Sequence, residues 1–251
     1  MNARLSRDDA GLSLTELLVT MLITSLVVIA TMSLTIGFQR SNAENVLRQQ
    51  QIDDGRFSAE VMSKSIRTAV RPLQIATSCT GPTCQEAFLS GTDYSISFFA
   101  NLNNASNSVG PSKVTYTVPT AGAQAGQLIE TVQKPDQSSP VGGAYAYCNA
   151  TAPSATVECK ERYSSRVLAR GVLTVPGQPI FRFYKKNDPT PLNPAASGGT
   201  LTGAAMKDVV AVEFSIQVQT PGTHRADPTT YVQRVMLPNT EVVIRKDQTT
   251  P

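Results

Sequence analysis

The chain lacks much of the material from which active sites are built. Of its 251 residues one is histidine, His224, and none is tryptophan. Multi-histidine metal sites and histidine relays therefore have almost nothing to draw on. His224 lies in TPGTHRADP, which reads as a loop. Ser164 and Ser165 are not set in a nucleophile elbow, and no phosphate-cradling loop of the G-x-x-x-x-G-K-[ST] type occurs. No catalytic residue, metal or cofactor is expected. Charge is also scarce, at 16% of residues against roughly 25% in an average soluble protein. What charge there is nearly cancels, with 22 basic and 19 acidic residues giving +3. Nucleic acid is not indicated by that balance, nor is a polybasic membrane surface. Lys185 and Lys186, near Arg182, make at most a small basic spot. Apolar residues at 41%, with 16 Gly and 16 Pro, exclude wholesale disorder and collagen-like repeats.

Charge is missing altogether from residues 17–39, LLVTMLITSLVVIATMSLTIGFQ. As a helix this run is roughly 35 Å long, enough for a hydrocarbon core of about 30 Å. Arg4 and Arg7 precede it, so the positive-inside bias sends the chain after Arg40 outward. Glu16 stands at the start of the run, where an unpaired acid costs on the order of 3 kcal/mol or more in hydrocarbon. It needs a cation, or it snorkels to the interface of a simple signal anchor. A secretory leader is cut after its apolar region, at small residues. Here the small residue, Gly11, comes before it, and cleavage there leaves the helix on the mature protein.

The order of glycine, apolar residue, Ser-Leu-Thr, Glu and a long apolar run in GLSLTELLV resembles the class III signal of type IV prepilins and type II secretion pseudopilins. The resemblance implies cleavage by prepilin peptidase after Gly11 and N-methylation of Leu12. It also implies an assembly role for Glu16, fifth in the mature chain, through pairing with the N-terminal amine of a neighbouring subunit. Such a pair is attractive in low dielectric, but desolvation offsets much of the gain, so register is its main contribution. Two departures stand out. Leu12 replaces the usual Phe, and Asp8 and Asp9 stand where a basic residue often precedes the glycine.

Beyond the span, Ile52, Gly55, Ala59, Met62, Ile66, Ala69, Val70 and Leu73 recur mostly at steps of three and four. They predict one apolar stripe on a helix. Asp53, Arg56, Glu60, Lys64, Arg67 and Arg71 fall on the other side, with Arg56–Glu60 and Glu60–Lys64 spaced for i,i+4 pairing. Pro72 disfavours helix at Arg71 and marks the expected end there. Gly55 costs about 1 kcal/mol inside a helix, which suggests close approach of another backbone or a kink.

After residue 73 the period changes to short strand-like runs. Strands are expected at 94–100, 113–118, 127–133, 166–173, 180–184, 209–219 and 231–237. Segments 101–112, 119–126, 134–156 and 187–206, rich in Asn, Ser, Gly, Pro and Ala, read as surface loops. One long helix followed by strands predicts an α+β fold, with the helix packed on a largely antiparallel sheet. The lollipop of pilins has that architecture. The order KVTYTV, LIETV, VLARGV, PIFRFYKK, VVAVEFSIQV and VQRVMLPN is most similar to the minor pilin W and pseudopilin J group. Four cysteines in an exported head favour disulfides. Cys79 with Cys84 and Cys148 with Cys159 is the simplest framework of the three possible, and a four-thiolate zinc site is the rival.

The sequence thus divides into a leader (1–11), a membrane and assembly helix (12–40), its amphipathic continuation (41–72) and a β-rich head (73–251). The resemblance implies a non-enzymatic minor pilin or pseudopilin, a structural subunit of a type IV pilus or type II secretion filament. It would be anchored in the cytoplasmic membrane with its C-terminal domain exported. Its implied partners are prepilin peptidase, other pilins, membrane lipid and an assembly platform. A head of about 180 residues suits a low-copy position in the priming or tip complex. The competing readings are a tip adhesin or DNA-binding module and an unprocessed signal-anchored ectodomain.

Overall fold

A computed structural model of the chain describes residues 13–75, 85–102, 104, 108–219 and 227–237. The chain divides into two compact units, Met1–Leu47 and Arg48–Pro251. Helix α1, Leu14–Arg67, is continuous over 54 residues.

In the first unit every described residue up to Ala43 is exposed. The run is rich in β-branched Val, Ile and Thr, which are mediocre helix formers in water. Its hydroxyls serve the helix by bonding back to carbonyls one turn earlier. Thr20 donates to Leu17 O at 2.9 Å, Thr24 to Thr20 O at 2.7 Å, Ser25 to Leu22 O at 2.8 Å and Thr35 to Thr31 O at 2.8 Å. Such bonds let hydroxyl side chains sit in an apolar medium without an unsatisfied donor.

In the second unit the expected stripe is buried. Gly55, Ala59, Met62 and Ile66 face inward, and Met62 and Ile66 join Phe98, Val114, Tyr116, Phe183 and Phe214 in one core. Gln51, Ser58, Ser63 and Ser65 are buried beside them, so this face is more polar than its apolar spacing predicts. The i,i+4 pairs Arg56–Glu60 and Glu60–Lys64 do not close among the described residues. Holding two long exposed side chains in one geometry costs entropy that solvent-screened attraction barely offsets.

The helix ends at Arg67, four residues before the expected Arg71. From Thr68 the backbone pairs with a strand, as Val70 N–H donates to Phe99 O at 2.9 Å and Asn101 N–H to Thr68 O at 3.1 Å. Strand pairing, not Pro72, stops the helix. Pro72 instead opens a single helical turn, α2, Pro72–Ile75, where its missing N–H is harmless.

Among the described residues the head has nine strands. They are β1 Phe88–Gly91, β2 Ser95–Ala100, β3 Ser112–Thr117, β4 Gln127–Gln133, β5 Tyr163–Arg170, β6 Phe181–Lys185, β7 Leu201–Thr202, β8 Val209–Val218 and β9 Thr229–Met236. Helix α3, Val157–Glu161, precedes β5, and α4, Ala204–Lys207, precedes β8. One sheet has the order β5-β4-β3-β2-β1-β7 and the other β6-β8-β9. Every pairing is antiparallel. The α+β class is as expected, except that the antiparallel structure is two sheets where one was expected. Segment 187–206 is not simply a surface loop. It contributes Leu201 and Met206 to the core, and β7 extends the larger sheet past β1. Strand β5 begins three residues earlier than expected, on Tyr163.

The largest polar groups of the core enter it as a bonded set. Tyr116 O–H donates to Glu130 Oε1 at 2.7 Å, and Arg166 closes on the other carboxylate oxygen. Burial, then the Glu130 charge, drives the Tyr116 phenol far above its ordinary value, so it remains a donor. On the smaller sheet Glu213 lies in register between Arg182 and Arg234. Its oxygens accept from Arg182 Nη1 at 3.1 Å and Arg234 Nη2 at 2.8 Å, and the Arg234 guanidinium sits 3.9 Å over the Tyr184 ring. Burial pushes the Glu213 carboxyl up, but hydrogen bonds and charge from Arg234 and Arg182 outweigh it and hold the group below the ordinary glutamate range.

A group with a lowered folded pKa stabilises the fold above its unfolded value, and that contribution disappears as pH falls through the folded value. Glu213→Gln should therefore lower the melting temperature at pH 7, and the gap from wild type should narrow below about pH 4.5. A gap independent of pH would contradict this account.

Gly55 provides a second test. A Cβ there would collide with the Tyr231 ring, whose hydroxyl donates to Ile52 O at 2.8 Å. What approaches the glycine is thus an aromatic ring, not the backbone anticipated. Gly55→Val should cost about 1–3 kcal/mol in chemical denaturation, and Tyr231→Phe about 1 kcal/mol. Wild-type stability of Gly55→Val would refute this seat.

Candidate functional site

The proposed processing residues Gly11 and Leu12 lie outside the described residues, as do Cys79, Cys84 and His224. Glu16 is described, in the first turn of α1. Ser13 stands immediately before the helix, and its Oγ accepts from Glu16 N–H at 3.2 Å. The Ser13 carbonyl accepts from Glu16 N–H at 3.0 Å and Leu17 N–H at 3.1 Å. Ser-Leu-Thr-Glu is therefore a capping-box sequence, S/T-x-x-E. That signal was present in the sequence and gives Glu16 a role that the apolar context alone does not suggest.

Ser13 Oγ engages the backbone of Glu16, not its carboxylate. Among the described residues no ion pair or hydrogen bond engages that carboxylate. An acid in the first turn also complements the positive end of the helix dipole. After Glu16 the next charged residue is Arg40, and the apolar stretch is long enough to cross a membrane, with none of it buried by the chain itself. The site so defined is a helix start carrying one carboxylate that no described residue engages, followed by an uncovered apolar surface.

The head supplies the second expected feature. Cys148 and Cys159 form a disulfide with Cα atoms 6.0 Å apart. With these two sulfurs bonded to each other, the four-thiolate zinc alternative fails. Cys159 lies on α3, whose start is capped by Thr156 Oγ1 accepting from Cys159 N–H at 3.3 Å. The bond ties segment 134–156 to the residues leading into β5. Further bonds hold the same segment. Tyr147 O–H donates to Pro111 O at 2.6 Å, Tyr145 N–H donates to Gln85 Oε1 at 3.0 Å and Arg162 pairs with Asp136 at 3.3 Å. Although irregular, this loop has a fixed place on the sheet. The basic spot near Lys185 is weaker than its sequence suggests, since Arg182 is paired with Glu213. Ser164 and Ser165 are exposed on edge strand β5.

Comparison with protein-family models, with curated proteins and with solved structures finds no match to the chain.

Closing a short loop in the unfolded chain is worth at most about 3 kcal/mol for a bridge spanning 11 residues. Replacing Cys148 and Cys159 together by Ser should lower the unfolding free energy by up to that amount under oxidising conditions. It should change nothing once the wild type is reduced. Equal stability of oxidised wild type and double variant would remove the bridge's structural role.

Proposed function

We propose that the protein is a pilin-like filament subunit, a minor pilin or pseudopilin, processed after Gly11 and anchored in the cytoplasmic membrane until it assembles. The observation that carries this reading is the start of α1, where a capped first turn holds one carboxylate that no described residue engages, ahead of an uncovered apolar run. A lone anchor needs that acid only for its helix start. A subunit that must find its register among like helices has a further use for it, because burying the carboxylate is costly until a cation from another chain meets it.

In this reading Leu12 is the methylated N-terminus and supplies the amine that a neighbour's Glu16 accepts. Membrane lipid covers the apolar half of α1 before assembly, and the helices of other subunits cover it afterwards. Prepilin peptidase and an assembly platform act on the chain, which itself catalyses nothing. The continuity of α1 into a bulky α+β head supports a low-copy place in the priming or tip complex.

Mass spectrometry of the N-terminus of membrane-extracted protein tests processing. N-methylated Leu12 is expected, whereas an intact Met1 would favour an unprocessed signal-anchored ectodomain and overturn the proposal. Gly11→Leu should block cleavage. Glu16→Ala should leave cleavage intact and reduce incorporation into filaments by tenfold or more, read by immunoblot of sheared filaments. Normal incorporation of the Glu16 variant would remove the assembly role.

A further inference from the structure

The larger sheet has two unlike faces. Val114, Tyr116 and Leu128 point into the core, while the opposite face of β3, β4 and β5 is polar. In register across these strands run Lys113, Gln133 and Tyr163, and beside them Thr115, Thr131 and Ser165. A polar outer face on an antiparallel sheet is ordinary when water covers it. Here the disulfide-tied loop covers part of it. The loop's Tyr147 ring stacks on Phe99 at 5.5 Å between centroids, and Gln133 Nε2 donates to the Cys148 carbonyl from below. Between the two rows and residues 147–151 of the loop lies a cavity of about 260 Å³.

The chemistry of its lining is one-sided. One cation, Lys113, enters the cavity, and no carboxylate does. Lys113 is half-buried and makes no ion pair among the described residues. Around it, the hydroxyls of Thr131 and Tyr163 have no hydrogen-bond partner among the described residues. The amide of Asn149 spends only its oxygen, on the N–H and hydroxyl of Thr151. An ammonium supplies three donors, the hydroxyls donate and accept, and the free amide nitrogen donates twice. Such a set fits an anion that also carries hydroxyls. The volume lies just under the roughly 300–1,000 Å³ of sites for drug-sized ligands, which points to a single small ring.

We propose that this cavity binds an acidic monosaccharide unit, with its carboxylate on Lys113 and its hydroxyls shared among Thr131, Tyr163 and Asn149. The cation sets the preference for an acid through a charge-assisted hydrogen bond, and the fixed loop limits the ordering that binding would otherwise require. The site belongs to the head alone, so it stands or falls independently of what happens at Leu12 and Glu16.

Full-length protein in detergent micelles, titrated by calorimetry with glucuronate, glucose and acetate at low salt, tests the proposal. Saturable glucuronate binding is expected, with glucose and acetate each weaker by about tenfold or more. Lys113→Gln should reduce glucuronate binding to the level of glucose, and Thr131→Val should weaken both sugars alike. Lys160→Gln, on α3 outside the cavity, should change neither, and melting temperatures should identify any variant that misfolds. Absence of saturable glucuronate binding would overturn the proposal. So would equal affinity for glucose or acetate, or unchanged binding by a folded Lys113→Gln protein.

Discussion

Everything in this chain hangs on one helix whose surroundings change along its length while its hydrogen-bond ladder stays the same. Up to Ala43 the ladder runs through exposed and mostly apolar side chains, with Thr and Ser hydroxyls folded back onto carbonyls. From Gln51 the same ladder carries a face that is closed off by strands. Backbone groups satisfied within the helix tolerate both conditions, which neither a strand nor a loop would. The side chains alone then decide what each stretch meets.

Where the helix enters the head, apolar burial and polar ties divide the labour. Met62 and Ile66 bury fully in the shared core, a contribution of roughly 1.5–3 kcal/mol for each such side chain before cavity effects. The ties then set which strand lies alongside. Gln51 donates to Thr229 Oγ1 at 2.9 Å, Gln233 to Ser63 Oγ at 3.0 Å and Tyr231 to Ile52 O. Hydrophobic burial is indifferent to small slips of register, whereas hydrogen bonds are not. Gly55 follows from this arrangement, because the Tyr231 ring occupies the space that a side chain would take.

Much of this architecture was legible because the two periods differ so clearly. Steps of three and four over 52–66 found the buried stripe. Alternation found β3, β4 and β8 nearly to the residue, since Val114 and Tyr116, or Val212, Phe214 and Ile216, each take one face. What escaped has physical causes. Strands β1 and β7 are four and two residues long, too short to display a period. Segment 187–206 is Gly- and Pro-rich, yet Leu201 and Met206 anchor it in the core, and two apolar residues in such a setting leave no pattern. Strand β5 opens with Tyr-Ser-Ser-Arg, polar because that part of an edge strand faces solvent. The early end of α1 depended on pairing with residues some thirty positions away, which no local signal reports. The covered polar face of the sheet needed the strand register and the loop's anchors together. Neither is readable from the residues alone.

Glu16 shows how a local device and the proposed assembly role fit on one residue. Capping recruits its backbone N–H, through Ser13, and so fixes where the helix begins. That leaves both carboxylate oxygens at the positive end of the helix, held in position but engaged by no described residue. A side chain spent on the cap would be unavailable for the proposed pairing, and a carboxylate further along the apolar run would lack the dipole's help. The first turn is thus the place where an acid in this segment costs least. The sequence order Ser-Leu-Thr-Glu sets the cap and the charge at once, and the helix that follows keeps that charge at the entrance to its apolar run.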